Sequence, residues 1–175
     1  MADYGKNTIG ASTEAISADT KRACKFTAPA DIGAVDSISV YVNRTGAGGG
    51  YAIRGGIYTD NAGAPDALVA NSSIEISSNI ARNASAWYSV SYVTKPNLTP
   101  GAVYWLVVQA AKAAITYFDT GASNQEATNA DTYSDNLANP FGGSITYHAH
   151  AMSIYISYTV GGPVTLTGVS AAVST

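Results

Sequence analysis

Apolar and polar residues alternate with a period of two along most of this chain, and that pattern constrains its fold more than any motif. Ile38, Val40 and Val42 alternate with Ser37, Ser39 and Tyr41. Successive side chains of a strand point to opposite faces, so this run reads as a half-buried strand. Tyr51, Ile53, Gly55 and Ile57 alternate in the same way with Ala52, Arg54, Gly56 and Tyr58. So do Tyr88, Val90 and Tyr92 with Trp87, Ser89 and Ser91, and Met152, Ile154, Ile156 and Tyr158 with Ser153, Tyr155, Ser157 and Thr159. Val103-Tyr104-Trp105-Leu106-Val107-Val108 is nearly continuous, the signature of a central strand covered on both faces. Weaker strand signals span residues 21–28, 66–77 and 112–118.

Turn residues punctuate these runs. Thr45 to Gly50 is a glycine-rich hairpin tip, and Asp60-Asn61-Ala62-Gly63-Ala64-Pro65 combines an Asp cap, a Gly and a Pro. Lys95 to Gly101, with two prolines, ends one strand and launches the next. No segment longer than about ten residues follows a helical period. The expectation is an all-β protein, an antiparallel β-sandwich or jelly roll of about eight strands with extended terminal arms. Residues 21–160 form the sandwich domain, residues 1–20 an N-terminal arm or first strand, and residues 161–175 a C-terminal arm or linker strand. That last segment opens on Gly161-Gly162-Pro163 and continues into the alternating Val164-Thr165-Leu166-Thr167. It is suited to pairing with the protein's own sheet edge or a neighbouring subunit, or to leading into a further domain.

Composition narrows the function. Charged residues make up 12% of the 175, about half the usual share, so polarity rests on hydroxyls and amides. The net charge is −3 and the nine Lys and Arg are scattered, leaving no basic run to neutralise several phosphates. Nucleic acid is therefore not an expected partner. No apolar run approaches the roughly 20 residues of a membrane helix. Met1 to Lys6 is followed by no apolar h-region, and the expectation is synthesis in a cytoplasm, with lysis, virion release or a longer parent chain as the route outside. Cys24 is the single cysteine; alternation places it with Phe26 on one face, as a small buried hydrophobe. Residues 119–147 form a long irregular stretch, expected to act as a cover over one end of the sandwich pinned by Phe141 and Tyr133.

Three stretches resemble a known module. Ile57-Tyr58-Thr59-Asp60-Asn61-Ala62-Gly63-Ala64-Pro65-Asp66-Ala67-Leu68 resembles the "lYsDnaGaPgtLl" segment of a widespread β-sandwich module. Leu98 to Leu106 is similar to its "LtaGtyYWL", and Asn139-Pro140-Phe141-Gly142 with Tyr155-Ile156-Ser157-Tyr158-Thr159 to its "NPFG … ysiYatYt". The resemblance spans roughly residues 20–160. Such modules occur in phage virion proteins and as accessory domains of secreted microbial proteins, and they generally lack catalytic motifs. The resemblance implies a β-sandwich without an active site; the low charge and the absence of a signal peptide are what favour a virion location.

Candidate chemistry is sparse. His148-Ala149-His150 puts two imidazoles on one strand face, but two ligands fall short of a structural zinc site, and the reading is surface or interface histidines. Asp60, Asn61 and Asp66 in one turn, or Asp119, Asp131 and Asp135 in the long stretch, offer oxygen donors for calcium, though neither set has the spacing of a calcium loop. No cofactor is expected. The three glutamates, Glu14, Glu75 and Glu126, lie in no recognisable acid/base setting, and no nucleophile elbow, P-loop or dinucleotide fingerprint is present. The expectation is no catalysis. Four sequons, at Asn43, Asn71, Asn83 and Asn97, are incidental in so Asn- and Ser-rich a chain. Trp105 reads as core, Trp87 as outward-facing, and Tyr41, Tyr58 and Tyr155 as sharing the polar faces of their strands. Those rings, with Val164 and Leu166 in the tail, are the candidate contacts.

Two functions fit this pattern. The first is a virion structural protein, a phage capsid decoration, head-fibre or tail-associated subunit. It would assemble with itself, a trimer being one expected state, or on a major capsid or tail protein. The second is a carbohydrate-binding module of a secreted or cell-surface protein that stacks glycan on Tyr and Trp; a subunit of an extracellular filament is a third, weaker fit. An exposed aromatic row favours the second.

Overall fold

A computed structural model describes residues 1–161, and the tail beyond, with Val164 and Leu166, lies outside the described residues. Fourteen strands are arranged in two antiparallel sheets packed face to face. In chain order they are β1 (Ala2–Gly5), β2 (Ser12–Ile16), β3 (Thr20–Thr27), β4 (Val35–Asn43), β5 (Ile53–Asn61), β6 (Ala64–Leu68), β7 (Ile74–Ser77), β8 (Ala86–Ser91), β9 (Val103–Ala110), β10 (Ala114–Thr120), β11 (Glu126–Ala130), β12 (Thr146–His148), β13 (His150–Met152) and β14 (Ile154–Tyr158). Sheet A runs β1-β14-β4-β10-β13, with β2 also on β10 and β8 also on β4. Sheet B runs β12-β11-β3-β9-β5-β6, with β7 also on β5.

The all-β sandwich matches the alternation pattern, and the strand number exceeds the expected eight or so. The additional strands are short: β1, β2, β11, β12 and β13 have three to five residues each. Two of them lie in the first 20 residues, where β1 pairs β14 from Ala2↔Tyr158 to Gly5↔Tyr155 and β2 pairs β10.

Alternation sorts the side chains as a sandwich requires. Ile38, Val40, Val42, Ile154 and Ile156 of sheet A meet Cys24, Ile53, Ile57, Leu106 and Val108 of sheet B in the buried core. A Cβ at Gly55 would fall 2.8 Å from Ile76 Cδ1 and 2.9 Å from Ile38 Cδ1, so the ends of both side chains would have to shift to admit one. The β5–β6 hairpin turns on Ala62 and Gly63, with φ of 52° and 88°; positive φ at both central residues is the arrangement that matches strand twist in a two-residue hairpin.

Sheet B carries a second layer on its outer face. Residues 131–145 fold across it, burying Leu137 and Phe141 against Ala23, Tyr58, Trp105, Val107 and Ala127. Strand β9 is thus covered on both sides, as its unbroken apolar run requires. The cover lies over a sheet face rather than a sandwich end. Phe141 packs edge-on to Tyr58 at 5.1 Å, and its N–H donates to the Asp66 carbonyl at 2.8 Å. The Tyr133 carbonyl accepts from Arg54 at 2.8 Å, and the Arg54 guanidinium lies over the Tyr133 ring. Lys21, fully buried, pairs with Asp131 at 2.8 Å and sits 4.3 Å from the Phe141 ring centre.

Candidate functional site

Among the described residues, the outer face of sheet A has no such cover. On β4 the residues pointing outward are Ser37, Ser39 and Tyr41; register places them opposite Ser91, Ser89 and Trp87 of β8. On the other side of β4, Tyr155 and Ser157 of β14 lie opposite Ser39 and Ser37. Where β14 ends, β10 takes its place beside β4 and brings in Tyr117.

These positions assemble a continuous row of four rings across four strands, in the order Tyr117, Tyr41, Trp87, Tyr155. Centroid separations are 4.9, 5.4 and 5.0 Å, with interplanar angles of 77°, 61° and 73°. Edge-to-face pairs of this kind contribute about 0.5–1.5 kcal/mol each beyond their burial, so the row is rigid before anything docks on it. All four rings are half-buried. Hydroxyls surround them. Ser39 and Ser89 bond at 2.6 Å, Ser85 and the Tyr117 hydroxyl at 2.6 Å, and the Tyr41 hydroxyl donates to the Ser85 carbonyl at 3.3 Å. Ser157 donates to the Asp3 carboxylate at 2.8 Å. Just past β8, Val93 is 99% exposed.

Of the expected contact residues, Tyr41, Trp87 and Tyr155 come together here and Tyr58 does not. Tyr58 is fully buried on the outer face of sheet B, its hydroxyl donating to the Ala138 carbonyl. Its strand parity was read from alternation, but alternation carries no sign that residues 131–145 fold over that face. Trp105 is buried as expected, its indole N–H donating to Asp60 Oδ1 at 2.8 Å. Tyr117 was missed, although Ile115 and Tyr117 alternate within the weak 112–118 strand signal.

The calcium sets do not converge. Asp60 accepts from Trp105 and from the Gly63 N–H, Asp119 pairs with Lys6 and accepts from the Ala11 N–H, and Asp131 binds Lys21 and the Ala138 N–H. Asp66 contributes its carbonyl to Phe141, and Asp135 accepts from Ser134. The Asp60, Asp119 and Asp131 carboxylates thus cap backbone N–H groups or balance cations. Cys24 is buried, with its sulfur on the Met152 N–H and the His150 carbonyl, and burial pushes its thiol up to about 12, so it is no nucleophile at neutral pH.

A polar cluster occupies the seam between the sheets. Arg22 of β3 reaches Glu14 of β2 at 2.8 Å and Glu126 of β11 at 2.9 Å. His150 Nδ1 lies 3.0 Å from Glu126 Oε2 and 3.2 Å from Glu14 Oε2. The His150 ring is sandwiched between Phe118, at 3.7 Å, and His148, at 5.2 Å. Burial pushes the Glu126 carboxyl up to about 7 against the pull of Arg22. The Arg22 hydrogen bond holds Glu14 below its ordinary value, and desolvation lowers His150. Neither glutamate could be placed from sequence, because the partners meet only across the sandwich.

No protein-family model matches the chain, and no curated protein matches it.

Proposed function

We propose that this protein is a non-catalytic structural module of a virus particle, working through protein–protein contacts on the outer face of sheet A. The observation that carries the reading is the charge-poor, serine-lined face around Tyr117, Tyr41, Trp87 and Tyr155, whose rings are half-buried and packed edge-to-face rather than standing out as an exposed aromatic row. Interface centres are enriched in Tyr and Trp and depleted of charge, and small-molecule sites are concave. Two concavities among the described residues lie elsewhere, beside Lys25 and Gln125 and beside Asp19 and Asp135. The resemblance across residues 20–160 is compatible with a virion protein, the low charge favours that setting, and the partner is a second copy of this chain. Light scattering over a concentration series tests it. The expected result is assembly above the 17.9 kDa monomer that is lost in Trp87→Ser and retained in a Ser substitution of exposed Val160. A monomer at every concentration overturns self-assembly.

The same row supports a second reading, a neutral glycan stacked on the rings and hydrogen-bonded by the flanking serines. Affinity electrophoresis through neutral polysaccharides separates the two. Retardation that disappears in Trp87→Ser, in a protein that stays monomeric, favours glycan.

A further inference from the structure

The seam cluster has the composition and spacing of a metal site. A single residue, Ala149, carries the chain from β12 in sheet B to β13 in sheet A, so His148 and His150 flank the crossing. Strand β11 places Glu126 directly opposite His148, and β2, paired with β10 beside β13, brings Glu14 to the same point. One donor atom each from Glu14, His148 and His150 lies within 4.8 Å of the others, the only such trio of His, Cys, Asp or Glu among the described residues. Around a tetrahedral ion with bonds of about 2.1 Å, neighbouring donors stand about 3.4 Å apart. The 3.2 Å between His150 Nδ1 and Glu14 Oε2 is within reach of that value without moving the backbone.

A second observation points the same way. Glu126 is fully buried beside the trio, with Oε1 2.9 Å from Arg22 Nη1 and Oε2 3.0 Å from His150 Nδ1. A buried carboxylate this close to two imidazoles supplies counter-charge to a bound cation.

We propose that Glu14, His148 and His150 bind a divalent transition-metal ion, zinc in the first instance, with Glu126 behind them as a buried counter-charge. Two imidazoles select such an ion over calcium or magnesium. Glu14 and His150 are partly exposed, which leaves a route for the ion from solvent. Because the three ligands come from β2, β12 and β13, the ion clasps sheet A to sheet B at the seam. This is independent of the aromatic face.

Untagged full-length protein, dialysed against a chelator, is titrated with zinc chloride by calorimetry and with cobalt chloride in the visible. One equivalent should bind, the melting temperature should rise with zinc, and cobalt should give the absorption of a low-coordinate N/O site. His148→Ala and Glu14→Gln should each weaken binding at least about tenfold. Their metal-free melting temperatures report whether the variants fold, and a conservative His148→Asn variant replaces any that does not. Absence of one-to-one binding to the native protein, or undiminished affinity in folded variants, overturns the proposal.

Discussion

Replacing Phe141 with Ala tests whether residues 131–145 are an integral layer of the fold. The side chain is 1% exposed, edge-on to Tyr58 at 5.1 Å, with the Lys21 amine 4.3 Å from its ring centre. An aromatic side chain buries about 150–200 Å² in such a setting, worth about 4–5 kcal/mol at about 25 cal/mol per Å². The alanine methyl retains a small part of this, and loss of the cation–π contact adds about 1 kcal/mol. The expected loss is about 4 kcal/mol, inside the range of about 3–5 for buried Phe→Ala changes. For a domain of this size that corresponds to a fall in melting temperature of about 8–16 °C. Urea titration followed by tryptophan fluorescence measures it, since Trp105 lies beneath this layer. A loss below about 1 kcal/mol would refute the reasoning and make the layer an appendage that sheet B does without.

The Cys24 thiol should resist a disulfide reagent at pH 8 in the folded protein and react stoichiometrically in denaturant; fast labelling of native protein would contradict its burial. Burial pushes Cys24 up to about 12 and raises the Tyr4, Tyr58 and Tyr92 hydroxyls, whereas unfolded Cys and Tyr ionise near about 8.5 and about 10. Folding therefore favours the protonated groups, and stability is lost as pH rises above about 9; a urea midpoint at pH 11 equal to that at pH 8 would count against this. Lys21→Met should cost about 3 kcal/mol by stranding Asp131, and adding Asp131→Asn should recover at least about 1 kcal/mol. A neutral single variant would show that the pair does not hold the outer layer.

The sheets were legible where a strand obeys one rule along its whole length. In β4, β8 and β14, alternation identified both strand and face, and three of the four rings of the aromatic row follow from parity alone. Tyr58 shows the limit: parity distinguishes two faces but does not tell which one a distant loop will cover. The short strand β11 lies in the stretch that reads as irregular, because it is held by pairing with distant β3 and with β12 rather than marked by local pattern. The seam cluster was half legible. The His148–His150 spacing is visible in the sequence, whereas Glu14 and Glu126 arrive by the folding of the whole chain.

The pairing of β1 with β14 has a mechanical consequence. Ala2 faces Tyr158, so the chain enters and leaves sheet A at the same end of one antiparallel pair. Tension applied between these ends loads the four rungs in sequence, like a zipper, and not in parallel, as it would if the ends left from opposite sides. Each rung gives way alone at low force, and β1 peels first. Strand β14 keeps its second partner, β4, so Tyr155 and the rings beside it hold their places. Tension between these two strand ends is therefore met one rung at a time, with β14 held behind by β4.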